Sequence, residues 1–264
     1  MKIAFIGAGV MGETMIKGVL AKGLCAPADI VACDISTSRL ETLRSTYKIK
    51  VAEDYVMALK GADVVVLAVK PQNLAGLMPS LKGKLHKAQL VLSIIAGATI
   101  STITDGLGHG AVIRSMPNTP AQIGAGVCVW TCSNDVNPRQ KNMAKSILES
   151  LGREIYVTDE KYIDMATAVS GSGPAYIYKV MEALTDAAVR IGLSREMAET
   201  LVQETAWGAA LLAKETNRHP EELREMVTSR GGTTEAGLAK LAGVEDLFAK
   251  AVEAAYTRAK ELGR

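Results

Sequence analysis

Aromatic residues and clustered charges of one sign are scarce in this sequence of 264 residues. Phe, Trp and Tyr together make up 4% of the chain, which is too few for the stacking platforms that bind single-stranded nucleic acid. Lys and Arg are scattered and the formal net charge is +2, so the basic patch typical of nucleic-acid-binding proteins is missing as well. We therefore expect no nucleic acid as a partner.

Cysteine is also scarce, and the apolar runs are short. The four cysteines, Cys25, Cys33, Cys128 and Cys132, form no CxxC pair and have no histidine beside them. We therefore expect free thiols rather than disulfides, and no metal site. Every apolar run falls short of the roughly 18 residues that span a membrane, and glycines interrupt the N-terminal run after Ile6, before it could serve as a signal peptide. These features predict a cytoplasmic protein with no membrane partner.

Apolar residues, by contrast, are plentiful and are arranged in an alternating pattern. The chain is 48% hydrophobic and 22% charged, enough for one large domain or two ordinary ones. Seven short apolar runs predict strands, at 3–6, 30–33, 63–69, 90–95, 111–115, 126–130 and 154–157. Helical patterns separate most of these runs. Continuous apolar runs are typical of parallel strands buried on both faces. The sequence therefore predicts an α/β fold with an N-terminal Rossmann-type, doubly wound sheet over residues 1–160.

The first predicted strand runs directly into a glycine motif. Gly7, Gly9 and Gly12 have GxGxxG spacing and precede a helical pattern, which is the context that this motif requires. Gly7 would permit a tight turn, Gly9 the approach of the backbone to a pyrophosphate, and Gly12 the close packing of helix and strand. The second predicted strand ends in Asp34, 22 residues after Gly12, where a carboxylate can reach a ribose hydroxyl. The pattern predicts a dinucleotide site.

The residues around Asp34 give opposing indications about the cofactor. Asp34 favours NAD, because a carboxylate accepts hydrogen bonds from the ribose hydroxyls and repels a 2′-phosphate. Ser36 and Arg39 follow it, and hydroxyls beside a guanidinium suit the 2′-phosphate of NADP. The residues leave both cofactors open, and we expect NADH and NADPH both to be used with modest discrimination.

Three further predicted strands end in residues that could face the same ligand. In a doubly wound sheet, ligands bind beyond the carboxyl ends of the strands. Lys70 and Pro71 lie at one such end, Ala96 at the next and Arg114 at a third. Lys70 and Arg114 could each be a solvated charge in a loop or a contact to the ligand. Position in the sequence alone does not decide between these two roles.

From about residue 161 the strand patterns stop and helical patterns replace them. A turn at 170–175, with proline at the first helical position, precedes a helix that ends near Gly192. Ser194 begins an alanine-rich helix, His219 precedes a short one, and a last helix runs from Glu235 onward. We expect residues 161–264 to form an all-α dimerisation and substrate domain, because a small alanine-rich domain of this kind often buries its faces against a second copy.

Candidates for a catalytic acid or base are few. His86, His109 and His219 lie in polar connecting segments or before a proline, so we expect each to be structural or solvated. Hydroxyacid dehydrogenases of similar layout use a lysine where this chain has Ile177, and Lys179 is turned roughly 200° around the helix from that position. The base for oxidising an alcohol is therefore missing. Reduction of a C=N bond needs less acid–base help, because an iminium nitrogen can bring its own proton.

Six motifs, in this order, together resemble those of the pyrroline-5-carboxylate reductases. They are FIGAGVMG, AVKPQ, the Ala-Gly of SIIAGAT, RSMPNTP, SGSGPAY and TSRGGTTEAGL, and they span nearly the whole chain. The resemblance implies NAD(P)H-dependent reduction of 1-pyrroline-5-carboxylate to L-proline, the final step of proline biosynthesis, with NADPH preferred in most members. It also implies an intertwined helical homodimer, often assembled further into a decamer.

The resemblance also assigns residues to each ligand. For the cofactor it implies contacts at Ile6, Gly7, Ala8, Gly9, Val10, Met11, Ala68, Val69, Lys70, Pro71 and Ala96, besides the residues Asp34, Ser36 and Arg39 weighed above. For the substrate it implies Glu160, Ser229, Gly232, Thr233 and Thr234. Three positions depart from the usual family residues, namely Asp34, Met226 and Arg230, and Asp34 leaves a strict preference for NADP in doubt.

The turn TSRGGTTEAGL suits a small carboxylate substrate on physical grounds. A Gly-Gly turn ahead of a helix exposes backbone N–H groups, and the hydroxyls of Thr233 and Thr234 add donors. We expect the 231–233 backbone to hold the carboxylate and Thr234, the residue assigned to catalysis, to position the ring. The same geometry also predicts an ordinary helix cap.

Two alternatives to this family remain open. One is another oxidoreductase of the same layout, such as an imine reductase of different substrate range or a prephenate-type dehydrogenase. The latter would need a His or Lys at its active centre, which the sequence does not supply. The other is a nucleotide-binding sensor without turnover, against which the intact GGTT turn argues.

Overall fold

The computed structural model describes residues 1–263 and divides the chain into two compact units. Residues 1–172 and the C-terminal stretch from Ala254 form the first unit, and residues 173–253 form the second. The boundary predicted at residue 160 follows the last strand, whereas the compact units divide later, after Ser172. The first unit extends past residue 160 because the helix Lys161–Ala166 packs against two strands of its sheet.

The first unit is built on one sheet of eight strands. They are β1 (Ile3–Ile6), β2 (Ile30–Cys33), β3 (Lys50–Ala52), β4 (Val64–Leu67), β5 (Leu90–Ser93), β6 (Val112–Met116), β7 (Gly126–Cys132) and β8 (Gly152–Tyr156). Their order is β3-β2-β1-β4-β5-β6-β7-β8, and all neighbours are parallel except β6 and β7. The order of the first six is that of a dinucleotide-binding Rossmann sheet. The predicted doubly wound sheet is therefore confirmed.

Twelve α-helices are present among residues 1–263. They are α1 (Val10–Ala21), α2 (Thr37–Tyr47), α3 (Tyr55–Leu59), α4 (Pro71–Leu81), α5 (Ile100–Leu107), α6 (Pro138–Glu149), α7 (Lys161–Ala166), α8 (Gly173–Arg190), α9 (Arg195–Thr216), α10 (Pro220–Met226), α11 (Thr233–Leu238) and α12 (Val244–Leu262). Short 3₁₀ segments lie at Pro27–Asp29 and Thr119–Ile123, and a π-helical segment at Thr167–Gly171. The helical nature predicted for the second half is confirmed.

Apolar side chains cover both faces of the sheet. In β1, Ile3 and Phe5 belong to one buried cluster and Ala4 and Ile6 to the other, as the two-residue repeat of a strand requires. Helices α1, α2 and α6 contribute to the first cluster, and α3, α4 and α5 to the second. Since both faces are occupied, a ligand has access to the sheet at its strand ends.

Three local predictions were wrong, each for a physical reason. Strand β3 was missed because it is three residues long, lies at the sheet edge and has no fully buried residue. The expected turn at 170–175 is instead mostly helical, because the π-helical segment ends at Gly171 and α8 begins at Gly173. In the π-helical segment the hydroxyls of Thr167 and Ser170 donate to carbonyls four residues earlier. The last predicted helix is two helices, because Gly243 has a φ of +87° and separates α11 from α12.

All four cysteines are free, as predicted. Cys33 and Cys128 are buried in β2 and β7. Burial, with a smaller contribution from Asp34, raises the pKa of Cys33 to about 11, and burial raises the pKa of Cys128 to about 12. Both thiols are therefore protonated at neutral pH and act as apolar core groups. None of the helices within residues 1–263 has both the length and the apolar character that crossing a membrane demands.

Candidate dinucleotide and substrate sites

The loop between β1 and α1 comes so close to β4 that it needs glycine at two positions. Gly7 has a φ of +91°, and a Cβ there would lie 2.7 Å from the carbonyl carbon of Ala68. A Cβ at Gly12 would lie 2.7 Å from the carbonyl oxygen of Gly7, so α1 packs directly on the loop. These contacts are the tight turn and the close helix packing that the glycine spacing predicts.

Gly9 lies beside open space instead. A Cβ at Gly9 would meet nothing within 4 Å. Gly9 is the N-cap of α1, a helix of 12 residues that begins with Val10 and Met11, and no side chain caps it. The N–H groups of its first turn and the positive end of its dipole therefore lie beside a space that a pyrophosphate can enter. In its shape and its donors, the loop fits a dinucleotide.

Asp34 supports the glycine loop from the end of β2. Its Oδ2 accepts the Ala8 N–H at 2.7 Å and its Oδ1 accepts the Ser36 N–H at 3.0 Å. Ser36 in turn is the N-cap of α2, where its Oγ accepts the Arg39 N–H at 3.3 Å. A carboxylate oxygen can accept more than one hydrogen bond, so these bonds leave room for the ribose contact, which stays a prediction.

The Arg39 side chain is tied to the same loop. Its Nε donates to the Ala8 carbonyl oxygen at 2.8 Å, and its Nη2 forms an ion pair with Glu13 of α1. Tyr47 donates its hydroxyl to the other carboxylate oxygen of Glu13 at 2.9 Å. Sequence reasoning did not single out Glu13. An acidic residue directly after Gly12, at the start of the helix that follows the glycine motif, is the signal that could have identified it.

The pKa values in this network are shifted in opposite directions. Burial opposes ionisation of Glu13, but hydrogen bonds from Arg39 and Tyr47 outweigh it and hold the pKa of Glu13 below its usual value. The pKa of Tyr47 is raised, by burial and by its hydrogen bond to Glu13. At neutral pH the network therefore contains a charged carboxylate and a protonated phenol.

The ends of β1, β4 and β5 carry the other predicted cofactor residues. The Ala68 N–H donates to the Ile6 carbonyl at 2.8 Å, which holds the ends of β1 and β4 side by side, and Val69 follows. Lys70 is exposed at the N-cap of α4. The structure thus brings these residues to the same edge of the sheet as the glycine loop.

Pro71 and Ala96 share a small cavity at that edge. The cavity has a volume of about 170 Å³ and is also lined by Gly97 and Leu262, the last residue of α12. Pro71 is the first residue of α4, so its missing N–H is not needed for the helix. The cavity extends the candidate dinucleotide site from β4 to β5.

Arg114 is buried, and the alternative of a solvated loop charge is wrong. It lies within β6, is 1% exposed and pairs with two carboxylates, through Nη1 with Glu160 at 2.9 Å and through Nη2 with Asp164. Its Nε–H is buried and has no acceptor within residues 1–263. Asp164 was missed in the sequence. Its spacing of one helical turn from Glu160 is the signal that could have paired them.

Glu160 is fixed in orientation by these neighbours. Its Oε1 accepts from both Arg114 and the Ile100 N–H, the latter at 2.7 Å. The side chain is 32% exposed, so it is partly accessible to a solute. Among the predicted substrate residues, Glu160 belongs to the first unit, and its role stays a prediction.

The other predicted substrate residues lie in the second unit, in the turn between α10 and α11 and at the start of α11. Gly231 has a φ of +73°, and its N–H donates to the Glu235 Oε2 at 2.8 Å. The Gly232 N–H donates to the Ser229 carbonyl at 2.9 Å. Two of the backbone donors expected to hold a carboxylate are therefore engaged within the turn, and binding of the substrate there stays a prediction.

Thr233 and Thr234 supply the donors that remain. Both lie in the first turn of α11, whose N-cap, Gly232, provides no side-chain bond. Their N–H groups and hydroxyls have no acceptor in the described part of the chain. Because α11 has six residues, its dipole is small, and individual hydrogen bonds would have to hold an anion.

The histidines and Lys179 occupy unremarkable positions. His109 is buried, with its Nε2 2.8 Å from the Gln89 carbonyl oxygen. His86 and His219 are exposed, and the Nδ1 of each accepts a nearby backbone N–H. Lys179 is exposed and pairs with a glutamate one turn along α8. Groups of three or more metal-ligating side chains do not occur among residues 1–263.

The sheet order, the glycine loop and the separate helical unit define a dinucleotide-dependent oxidoreductase. Residues 2–97 match the family model described as NADP oxidoreductase coenzyme F420-dependent. Residues 160–262 match the model described as pyrroline-5-carboxylate reductase dimerisation.

Individual relatives are similar to this chain over nearly the whole of both sequences. A pyrroline-5-carboxylate reductase from Synechocystis is 40% identical over 266 residues, covering 100% of this chain and 99% of its own. The structure of a pyrroline-5-carboxylate reductase from Coxiella burnetii has a TM-score of 0.89 at 39% identity, covering 100% and 98% of the two chains. That of a Plasmodium falciparum pyrroline carboxylate reductase with NADP bound has a TM-score of 0.90 at 29% identity, with the same coverage. This chain belongs to the pyrroline-5-carboxylate reductase family.

Two glycine substitutions should separate cofactor binding from folding. Gly9→Val adds a side chain to open space, so we expect only the small fall in melting temperature that a poorer N-cap of α1 causes. NADPH binding should weaken by roughly 100-fold or more, because the side chain fills the pyrophosphate space. Gly7→Ala combines a positive φ with overlap on Ala68 and should cost about 2–5 kcal/mol of unfolding free energy. Fluorescence titration measures the NADPH affinity, and thermal melts measure the stability. Normal NADPH affinity in a folded Gly9→Val protein would show that the glycine loop does not bind the dinucleotide.

Proposed function

We propose that this chain catalyses the NAD(P)H-dependent reduction of 1-pyrroline-5-carboxylate to L-proline, the final step of proline biosynthesis. The observation that carries the proposal is the presence, in one member of this family, of a glycine loop open at Gly9 and a GGTT turn in which Thr233 and Thr234 keep unpaired donors. The absence of the hydroxyacid dehydrogenase lysine at Ile177 supports an imine rather than an alcohol as the reacting group.

The substrate carboxylate is proposed to bind the N–H groups of Thr233 and Thr234. Ser229 and Gly232 shape the turn, since a Cβ at Gly232 would lie 2.4 Å from the Ser229 Oγ. The Thr234 hydroxyl positions the ring. Charge-assisted hydrogen bonds of this kind contribute about 1–3 kcal/mol each.

Glu160, in the first unit, is proposed as a further substrate residue. Its carboxylate is held by Arg114 and the Ile100 N–H, so it presents a fixed negative charge at the edge of the sheet. A protonated imine carries a positive charge on nitrogen, and an oriented carboxylate would attract it. Glu160 would thus favour the iminium form, which is the form that accepts a hydride.

The chain's main contribution to the reaction is positioning. When bound, the reduced nicotinamide supplies the hydride. The glycine loop, Asp34, Ser36 and the strand-end residues 68–71 and 96 would hold the dinucleotide, and the first turn of α1 would neutralise its pyrophosphate. Because the iminium nitrogen already carries its proton, the residues need to orient the ring and exclude water rather than transfer a proton.

A homodimer through the helical unit, assembled further into a decamer, is proposed as the working form. Helix α8 has 18 residues and buries only Thr185, and α9 has 22 residues and buries only Ala198. Large apolar side chains on these helices are exposed in the single chain, among them Trp207 at 65%. Helices of this length owe their stability to packing, and exposed apolar faces of this size mark interfaces.

A cytoplasmic location is proposed for the protein. Its four cysteines are all unpaired, although two of them are partly accessible. Unpaired cysteines are typical of proteins that work in a reducing compartment.

A direct assay tests the activity. We expect the purified protein to oxidise NADPH when 1-pyrroline-5-carboxylate is added, followed by the fall in absorbance at 340 nm, and to form proline in equal amount. NADH should also support turnover, since Asp34 and Arg39 both lie at the predicted ribose position. Omission of the substrate is the control. Cofactor binding without proline formation would favour a sensor, and turnover of other imines alone would favour a different imine reductase.

Thr234→Ala tests the substrate turn. We expect kcat/KM for 1-pyrroline-5-carboxylate to fall by roughly 10- to 100-fold, because one hydrogen bond to the substrate is lost and each ~1.4 kcal/mol is tenfold. NADPH affinity should not change. The melting temperature should also be nearly unchanged, because the Thr234 hydroxyl bonds to nothing within residues 1–263 and does not cap α11.

The matched control is Thr216→Ala, which removes a hydroxyl that donates to the Leu212 carbonyl at the end of α9. It should leave kcat/KM unchanged. If Thr234→Ala lowers the melting temperature while kcat/KM stays normal, the turn is structural and the substrate binds elsewhere.

Trp207→Glu tests the assembly. A charge on the exposed apolar face of α9 should disfavour burial against a second copy, so we expect a smaller species than the wild type in light scattering. Met57→Glu places the same charge on a 70% exposed side chain of the first unit and should leave the mass unchanged. A wild-type protein that is active as a single 27.9 kDa chain would contradict the proposed dimer.

A further inference from the structure

The peptide groups of Ala8 are held on both sides by the two residues that predict opposite cofactors. Asp34 accepts the Ala8 N–H at 2.7 Å, and the Arg39 Nε donates to the Ala8 carbonyl oxygen at 2.8 Å. Both side chains therefore position the dinucleotide loop before any ligand arrives. Their effect on cofactor choice depends on what else holds them there.

Arg39 has a second anchor in Glu13. Its Nη2 pairs with the Glu13 Oε2, and Tyr47 fixes the Glu13 Oε1 at 2.9 Å. Two helices thus meet at Glu13, because Glu13 lies in α1 and Arg39 and Tyr47 lie at the two ends of α2. The side chains of Arg39 and Glu13 are 27% and 28% exposed, so the pair is only partly screened by water.

A guanidinium recognises a phosphate best through two parallel N–H bonds from one edge. In Arg39 the Nε–H and one terminal nitrogen, which form one such edge, are already engaged by Ala8 and Glu13. To present that edge to a 2′-phosphate, Arg39 would have to leave a carboxylate. The carboxylate would then lie unpaired near a dianion, which is unfavourable.

We propose that Glu13 is a specificity-determining residue, which limits recognition of the 2′-phosphate of NADPH by holding Arg39 against the glycine loop. The effect rests on the proposed NAD(P)H-dependent function. Its consequence is that NADH remains a usable cofactor although an arginine lies at the predicted ribose position. Glu13 acts through Arg39, and Tyr47 acts through Glu13.

Glu13→Gln tests the proposal. The substitution keeps the size of the side chain but removes its charge, so the contact with Arg39 becomes a weaker neutral hydrogen bond and Arg39 can leave it more easily for the phosphate. We expect the ratio of kcat/KM for NADPH to kcat/KM for NADH to rise by about 3- to 30-fold, which is less than a full charge-assisted hydrogen bond would give because the Arg39–Glu13 pair is partly exposed. The control is Glu41→Gln, the same change of charge at an exposed position of α2, which should leave the ratio within twofold of the wild type.

A double-mutant cycle separates holding of Arg39 from simple repulsion. If Glu13 acts by holding Arg39, Glu13→Gln should not raise the ratio in an Arg39→Gln background. If the ratio rises equally in that background, Glu13 merely repels the phosphate and the proposal is overturned. Tyr47→Phe loosens Glu13 without changing its charge and should raise the ratio by a smaller factor. An unchanged or lower ratio in both Glu13→Gln and Tyr47→Phe would also overturn it.

Binding of nucleotide fragments distinguishes this inference from the proposed activity. Calorimetry with adenosine 2′,5′-bisphosphate and with 5′-AMP measures recognition of the 2′-phosphate without any substrate. We expect Glu13→Gln to increase the preference for the bisphosphate by the same factor as the kinetic ratio. If the protein forms no proline but this preference increases, the proposed function fails and the role of Glu13 stands. If proline is formed but the preference is unchanged, the role of Glu13 fails alone.

Discussion

The close approach of the glycine loop to the end of β4 determines what the first unit can offer a dinucleotide. Both faces of the sheet are covered by helices, so the strand ends are its accessible edge. A side chain at Gly7 would overlap the Ala68 carbonyl and push the loop away from β4. The Ala8 peptide would then lose its bonds to Asp34 and Arg39. One contact between backbone segments, that of Gly7 with Ala68, therefore determines three features of the site. They are the open space at Gly9, the position of the start of α1, and the positions of Asp34 and Arg39 beside the loop.

Features encoded in neighbouring residues could be predicted from the sequence, and features that depend on distant packing could not. Apolar runs identified seven of the eight strands, and glycine spacing identified the loop between β1 and α1. Nothing local to Arg114 shows that α7 returns to β6 and brings Glu160 and Asp164 with it. The pairing of Arg39 with Glu13 likewise joins residues 26 apart in the sequence. The sequence positions of Arg39 and Arg114 indicated that these side chains are important, but only the fold shows which carboxylates pair with them.

The second unit shows a different limit of sequence reasoning. Its helices were predictable, and so was the GGTT turn, through the family resemblance. The number of free donors in that turn was not, because Glu235 lies one helical turn after Gly231 and takes its N–H. A carboxylate in the protein thus occupies a donor that had been expected to meet a carboxylate of the substrate. The remaining donors belong to Thr233 and Thr234, which concentrates the proposed recognition on two residues rather than on the whole turn.

The buried ion pairs of Arg114 are better explained by orientation than by stability. Removing a guanidinium from water costs several kcal/mol, and apolar replacements of such groups are often neutral or stabilising. Arg114 is fully buried and leaves its Nε–H unpaired, so its burial is incompletely compensated. What the arrangement does achieve is to fix Glu160, which receives two hydrogen bonds on one oxygen while its side chain remains a third exposed. A carboxylate held in one orientation by two donors is pre-organised, and its partial exposure agrees with the proposed role of Glu160 toward a cationic ligand.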